Sequence, residues 1–491
     1  MRDNYINFIR EYIKRKHGNR ETIEKIKSNV LGAGATEGEF NEAIAQIAKQ
    51  DKQQSGKTFT GYIKTLKFNL AKRKRLALNL SLTAICIITS FSIISNSPVH
   101  TPNRNVPLAK TITQVPAKKV KTPNQNPIPQ VYANARPIDP QKVFSFPQSN
   151  VPLTIASKPK KEVLGFFPYW MLPESDKIPL DTFTSVALFG IEVDGKGDVI
   201  TSHEDKPDGG WLMWRDPKLD SFIKKARDDG LKIFLTFKSF SNTNIESLVS
   251  SDSAQQTFIS NALYLINSKS LDGINLDFEY AGIPEDNVRE GFTRLVKNLN
   301  TELKRQIPTG ILTIDTYIIS GSVRDLFDIQ LLSKDTDAFV IMGYDMHYSF
   351  GSPGPISPMG GAVNIIGLVQ GYLEKVPAEK LILAVPYYGY DWPINTESST
   401  ATPSAAIISY AELAQSSKQH KLTWDDTSQT PSYKYSEDGI EREVHFENVR
   451  SLGIKYDFAI AKGLKGVGIW ALGYDGLNSD LQRLIVDKFS N

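Results

Sequence analysis

Cysteine is almost missing from this chain: Cys86 is the only one in 491 residues. No intrachain disulfide can form, so cysteine usage says nothing about the redox compartment. Histidine is also scarce, with six residues and no ligand spacing among them, and no metal is expected. Gly360-Gly361 is too short a glycine run for a phosphate loop, and no cofactor is expected either. Charge is absent from residues 76–96. Positive charge is in deficit from residue 162 onward, where 30 Lys/Arg stand against 45 Asp/Glu. That deficit argues against nucleic acid as a partner, because neutralising phosphates needs Lys and Arg.

What is present is unevenly divided. Residues 1–75 carry 17 Lys/Arg against 8 Asp/Glu. Thr36 and Glu39 form a capping-box pattern ahead of Phe40, Ala43, Ile44 and Ile47 at helical spacing, which predicts a small basic helical region. Either a solvated helical hairpin or a partner-docking or membrane-surface module fits it. The uncharged segment 76–96 follows the basic run Lys72-Arg73-Lys74-Arg75. Twenty helical residues span ~30 Å, the thickness of a bilayer core. The expectation is one transmembrane helix in a cell membrane, with the N-terminus cytoplasmic and the C-terminal bulk outside. A soluble core helix is the rival reading. A cleaved signal peptide fits poorly, because the apolar stretch begins so far into the chain. Residues 97–161 hold 12 of the 27 prolines and 10 Lys/Arg against one acid, a composition that reads as an extended linker.

From residue 162 to 491, short apolar runs alternate with helical patterns. Eight strands are predicted at 162–167, 185–193, 232–238, 271–279, 311–317, 337–344, 380–387 and 465–471. This is the pattern of an α/β (β/α)8 barrel. The stretch 391–447 is too long for an ordinary connection.

The fourth predicted strand lies in LDGINLDFEY, residues 271–280. Side chains alternate faces along a strand. Asn275, Asp277 and Glu279 therefore share one face, and Ile274, Leu276 and Phe278 share the other. Two carboxylates and an amide on one face suit a catalytic site at the C-terminal end of a barrel strand. A cation-binding or helix-capping cluster is the alternative.

Asp272-Gly273-x-Asn275-x-Asp277-x-Glu279 resembles the active-site signature of glycoside hydrolase family 18, the chitinase family. The resemblance runs in order over about residues 162–480. Most of that family carries Asp where this chain has Asn275. The Asn form resembles a bacterial subgroup of N-acetylglucosaminidases acting on peptidoglycan, including spore-cortex-lytic enzymes. The resemblance implies a TIM barrel with a small insertion after strand 7. It implies Glu279 as general acid and base, and Asp277 as the partner of the sugar's acetamido N–H. Met342-Gly343-Tyr344-Asp345 resembles the family's Met-x-Tyr-Asp element, which makes Tyr344 a catalytic candidate and Asp345 a substrate-binding one. Trp470 resembles the tryptophan that floors the cleavage subsite.

Asn275, Phe167 and Tyr388 complete the expected substrate-binding set, the last two from aromatic clusters that follow the first and seventh strands. Lys238-Ser239-Phe240-Ser241 stands where many chitinases have Ser-x-Gly-Gly, a departure that alters the subsite. The resemblance implies a retaining, substrate-assisted glycosidase whose partner is an N-acetylglucosamine-containing polysaccharide of the peptidoglycan type. Chitin is the second substrate class. A non-catalytic sugar-binding protein on the same barrel is the rival from another class.

Overall fold

The computed structural model describes residues 137–146, 157–204, 206–394 and 404–490, together with residues 41, 44 and 45. The chain divides into two compact units, Met1–Pro127 and Ile128–Asn491. In the first unit Asn41, Ile44 and Ala45 are helical, within the segment read as helix from its spacing. The candidate span 76–96 and most of 97–161 lie outside the described residues. Among the described residues, no helix is long and apolar enough to cross a membrane.

The second unit is built on eight parallel strands: β1 (Glu162–Pro168), β2 (Ser185–Glu192), β3 (Lys232–Ser239), β4 (Gly273–Phe278), β5 (Ile311–Tyr317), β6 (Ala338–Met342), β7 (Leu381–Pro386) and β8 (Gly466–Trp470). Each pairs with its neighbours in chain order, and β1 pairs with β8, so the sheet closes into a barrel. Strands covered on both faces need apolar residues on both. The sequence supplies them: all five residues of β6 and all six of β7 are buried.

The crossover helices are amphipathic. Asp286–Gln306 buries Val288, Phe292, Leu295, Val296, Leu299 and Leu303 along one stripe. Pro217–Asp228 buries Leu219, Phe222, Ile223 and Ala226; Pro217 opens it, and Asp216 caps it by accepting from the Lys218 N–H.

The signature strand, Gly273–Phe278, is shorter than the predicted 271–279. Asp272 turns its carboxylate onto the Ile233 N–H at 2.8 Å and so ties the start of β4 to β3. Gly273 packs so closely on β5 that a Cβ there would stand 2.1 Å from the Ile311 carbonyl oxygen. At the other end, the Glu279 N–H still bonds the Ser239 carbonyl at 3.0 Å. That bond sets Glu279 at the C-terminal rim of the barrel.

The long stretch after β7 folds as a five-stranded antiparallel sheet. Its order is Ala406–Ser409, Tyr388–Pro393, Ile440–Phe446, Thr430–Glu437, Thr423–Asp425. Leu413, Tyr433, Val444 and Phe446 form its small core. Asp391 anchors it internally, accepting from Arg442 Nε at 2.8 Å and from Tyr435 Oη at 2.7 Å. The insertion begins one residue after β7 ends, so its first strand carries Tyr388 and Tyr390 directly over the barrel mouth.

Candidate active site

Inward-facing residues of the central strands stack in layers. The lower layer is a closed polar cluster around Asn275. Its amide donates to Asp315 Oδ2 at 2.8 Å and to Thr236 Oγ1 at 3.2 Å, and its carbonyl accepts from Thr313 Oγ1 at 2.6 Å. Asn275 is wholly buried and does not line the cavity above. The expectation that it binds substrate is therefore corrected: three protein neighbours use up its polar atoms.

Above this layer lies a cavity of about 340 Å³. Asp277 and Glu279 form part of its floor, with Asp315 beside them on β5 and Tyr344 and Asp345 beyond the end of β6. Tyr388 and Tyr390 close it from the insertion side. Trp470, at the end of β8, packs with Phe189 at 4.7 Å and 85°, Trp170 at 6.2 Å and 70°, and Phe166 at 5.8 Å and 52°. These four rings form an aromatic wall of the cavity that the acids also line. A larger depression, about 680 Å³, lies between Lys177–Asp181 and the helix Pro217–Asp228, and holds none of these residues.

Burial dominates the electrostatics. It pushes the Glu279 carboxyl well above its usual range; Asp277, Asp315 and Asp345 push it further, and Lys238 opposes them. Asp277 is raised to about 7 by burial, against the pull of Lys238. Asp315 is raised well above the usual range by burial and by Asp277, against the hydrogen bond from Asn275. Asp345 is raised to about 7 by burial, opposed by hydrogen bonds from Tyr388 and Tyr390. Asp345 sits at φ 55°, a left-handed conformation that Asp tolerates better than most residues. Among the described residues, Asp277 Oδ1 and Asp315 Oδ1 are buried with no hydrogen-bond partner in the protein.

Phe167 is the second correction. It points away from the cavity and stacks on Phe222 of the helix Pro217–Asp228, with centroids 4.0 Å apart and planes 16° apart. The two-residue strand period gives the inward face of β1 to Phe166, which lines the cavity instead. The remaining expected residues, Glu279, Asp277, Tyr344, Asp345, Tyr388 and Trp470, all line the one cavity. His347 bonds the Ser352 carbonyl at 3.0 Å and is not part of the lining.

The sequence reading missed Asp315, Glu192 and Phe189 as lining residues, and noted Lys238 only as part of a departure at the end of the third strand. Asp315 carried a usable signal. Applied to β5, the alternation rule puts Thr313, Asp315 and Tyr317 on one face, the same device as on β4. Glu192, His203 and Asp208 bring ligand-type atoms within 4.8 Å of one another at the rim. Lys238 Nζ already sits 3.0 Å from Glu192 Oε2, which makes the group an ion network, not a cation cage.

Residues 162–475 match the family described as glycosyl hydrolases family 18. A cortical fragment-lytic enzyme of Bacillus anthracis is 29% identical over 245 residues, covering 48% of this chain and 54% of that one. The chain thus spans about half the length of the curated relatives it matches. Among solved structures, the spore cortex-lytic enzyme SleL of Bacillus megaterium superposes with a TM-score of 0.57 at 20% identity, over 69% of this chain and 76% of that one. A family 18 chitinase of Cycas revoluta in complex with (GlcNAc)3 superposes with a TM-score of 0.57 at 21% identity, over 67% of this chain and 99% of that one. At such identities the superpositions speak for the barrel alone. The match across residues 162–475, which spans the whole barrel from β1 to β8, shows that the chain belongs to glycosyl hydrolases family 18.

Proposed function

We propose that this chain is a glycosidase that cleaves β-linked N-acetylglucosamine glycans of the peptidoglycan type, with retention and with the substrate's own acetamido group as nucleophile. The observation that carries this reading is the meeting of Glu279, Asp277 and Tyr344 in one cavity walled by Trp470. A volume of 340 Å³ suits a sugar unit enclosed by aromatic faces and a few polar groups.

Glu279, kept protonated by burial, gives its proton to the glycosidic oxygen as the C1–O bond breaks. The acetamido oxygen bonds C1 and forms an oxazolinium. Asp277 accepts the acetamido N–H and balances the positive charge. Tyr344 donates its hydroxyl to the acetamido oxygen and fixes the angle of attack. Water then attacks C1 from the face the leaving group vacated, passes a proton to Glu279 and reopens the ring, so the β configuration returns.

The cortical fragment-lytic relatives support peptidoglycan as substrate. The endochitinase of Brugia malayi, 26% identical over 337 residues, supports chitin as the second reading. A sugar-binding role without turnover is disfavoured by the joint presence of Glu279, Asp277 and Tyr344. We further propose that residues 76–96 anchor the chain in the cell membrane with the barrel outside, on the strength of the uncharged run and its basic flank.

The deciding assay incubates the full chain with purified peptidoglycan and, separately, with chitooligosaccharides, and counts new reducing ends. Release from peptidoglycan supports the first reading, and release from chitooligosaccharides alone supports the second. No release from either, by folded protein, overturns both. Protease added outside intact cells is expected to free the barrel. A barrel protected until the membrane is permeabilised overturns the orientation.

A further inference from the structure

Lys238 is the one cation lining the cavity among the described residues. It is the register partner of Asp277 on the neighbouring strand. The two side chains therefore leave backbones ~4.8 Å apart on the same inward face. The lysine side chain is only 10% exposed, and its ammonium lies 5.3 Å above the Phe240 ring. On its other side, Nζ sits 3.0 Å from Glu192 Oε2. Glu192 also faces His203 Nε2 at 3.3 Å, and the same nitrogen lies 3.5 Å from Asp208 Oδ2.

A dehydrated ammonium is costly unless its charge is used. A simple ion pair with Glu192 would account for the lysine if it stood apart. Instead it stands between Glu192 at the rim and the floor that holds Asp277 and Glu279. The other charged or titratable groups around that floor are Asp315 on β5, Asp345 after β6, Tyr169 after β1, and Tyr344, Tyr388 and Tyr390. Five carboxylates thus share one ammonium. The chemistry proposed above, on which this step rests, asks two adjacent acids for opposite states. Burial alone drives both toward the neutral form. Lys238 is in register with Asp277 and a residue pair short of Glu279, so its field falls more heavily on the first.

The geometry points to Lys238 as the positioning residue that draws Asp277 toward its ionised form beside a protonated Glu279, with Glu192 setting how much of the lysine's charge reaches the floor. The electrostatic balance agrees with this assignment. Lys238 is the only group opposing burial at Asp277, whereas at Glu279 it is the last influence behind three carboxylates.

The test titrates Asp277 directly, by carbon-13 NMR of the full chain labelled at its aspartate carboxyls, with the resonance assigned by its loss in Asp277→Asn. Lys238→Met is expected to raise the Asp277 midpoint by about one pH unit. Lys238→Arg restores it. Glu192→Gln, which removes a negative charge and frees the ammonium, moves the midpoint down. His203→Gln leaves the lysine's influence in place and serves as the control for the imidazole on the other side of Glu192. The acidic limb of kcat/KM moves with the midpoint in each variant.

A midpoint unchanged in Lys238→Met, or one that moves the same way in Lys238→Met and Glu192→Gln, overturns the assignment. If Lys238→Met shows no cooperative unfolding, the downward shift in Glu192→Gln alone decides. The NMR readout needs no turnover. Opposite shifts in an inactive chain overturn the proposed function and uphold the role of Lys238. Unmoved midpoints in an active chain do the reverse.

Discussion

Asn275 on β4 donates its amide to Asp315 Oδ2 on β5 at 2.8 Å, inside the closed barrel. Asn275 brings no charge of its own to β4, and a carboxylate one strand over faces its amide. The hydrogen bond opposes the rise that burial and Asp277 impose on Asp315.

Asn275→Asp removes that donor and sets two carboxyls against each other, which must then share a proton. Both are buried, so their folded affinities for the proton lie above the unfolded ones. The variant is therefore near wild-type stability at pH 5 and loses about 1–3 kcal/mol as pH rises to 8. The alkaline limb of kcat/KM moves up by about half a unit or more, because added negative charge keeps Glu279 protonated. Asn275→Asp combined with Asp315→Asn re-creates an amide–carboxylate pair and restores both properties. Thermal melts and pH–rate profiles of the three variants check this. A double variant no better than the single one would show that the pair is not what matters.

Glu279→Gln is expected to lower kcat by about 10²–10⁴-fold, the usual worth of a positioned general acid. Its stability at pH 8 is expected to hold or rise, because a buried acid held far above its normal range no longer has to ionise or resist ionisation. Loss of activity together with a lower melting temperature would mean that the residue holds the barrel together instead of performing the chemistry.

Phe166 and Phe167 are adjacent, yet they serve different sides of the barrel wall. Phe166→Ala is expected to raise KM several-fold, since Phe166 lines the cavity beside Trp470. Phe167→Ala is expected to cost about 3–5 kcal/mol of stability through the cavity left against Phe222, with KM unchanged. Steady-state kinetics and melts on the pair separate the two. The opposite assignment of effects would reverse the facing of β1.

All eight strands were legible in the sequence because each is an apolar run long enough to cross a barrel and bounded by helical spacing. The acids on β4 were legible because alternation puts Asn275, Asp277 and Glu279 on one face. The roles of Asn275 and Phe167 were not. For Asn275, alternation gives the face but not the depth, and this residue sits one layer below the cavity. For Phe167, the aromatic cluster after β1 offered two consecutive rings, and only the register with β2 and β8 decides which turns inward. Lys238 and Glu192 come together from strands 46 residues apart, a pairing that no local pattern encodes.

Asp475 offers a test of burial away from the chemistry. It follows β8, is nearly fully buried, and is raised to about 7 by burial, against a hydrogen bond from the Gln482 side chain. An unfolded Asp titrates near ~3.9. The folded state therefore holds this proton more tightly than the unfolded state. The stability it contributes is complete below about pH 4 and is lost as pH rises through about 7. Asp475→Asn keeps the size of the side chain and removes the titration. At pH 8 the variant is expected to exceed wild type by at most ~4 kcal/mol, and its melting temperature should change less between pH 5 and pH 8. Equal slopes for the two proteins would mean that Asp475 is ionised and solvated in solution, which its burial between β8 and the helix Asp480–Phe489 argues against.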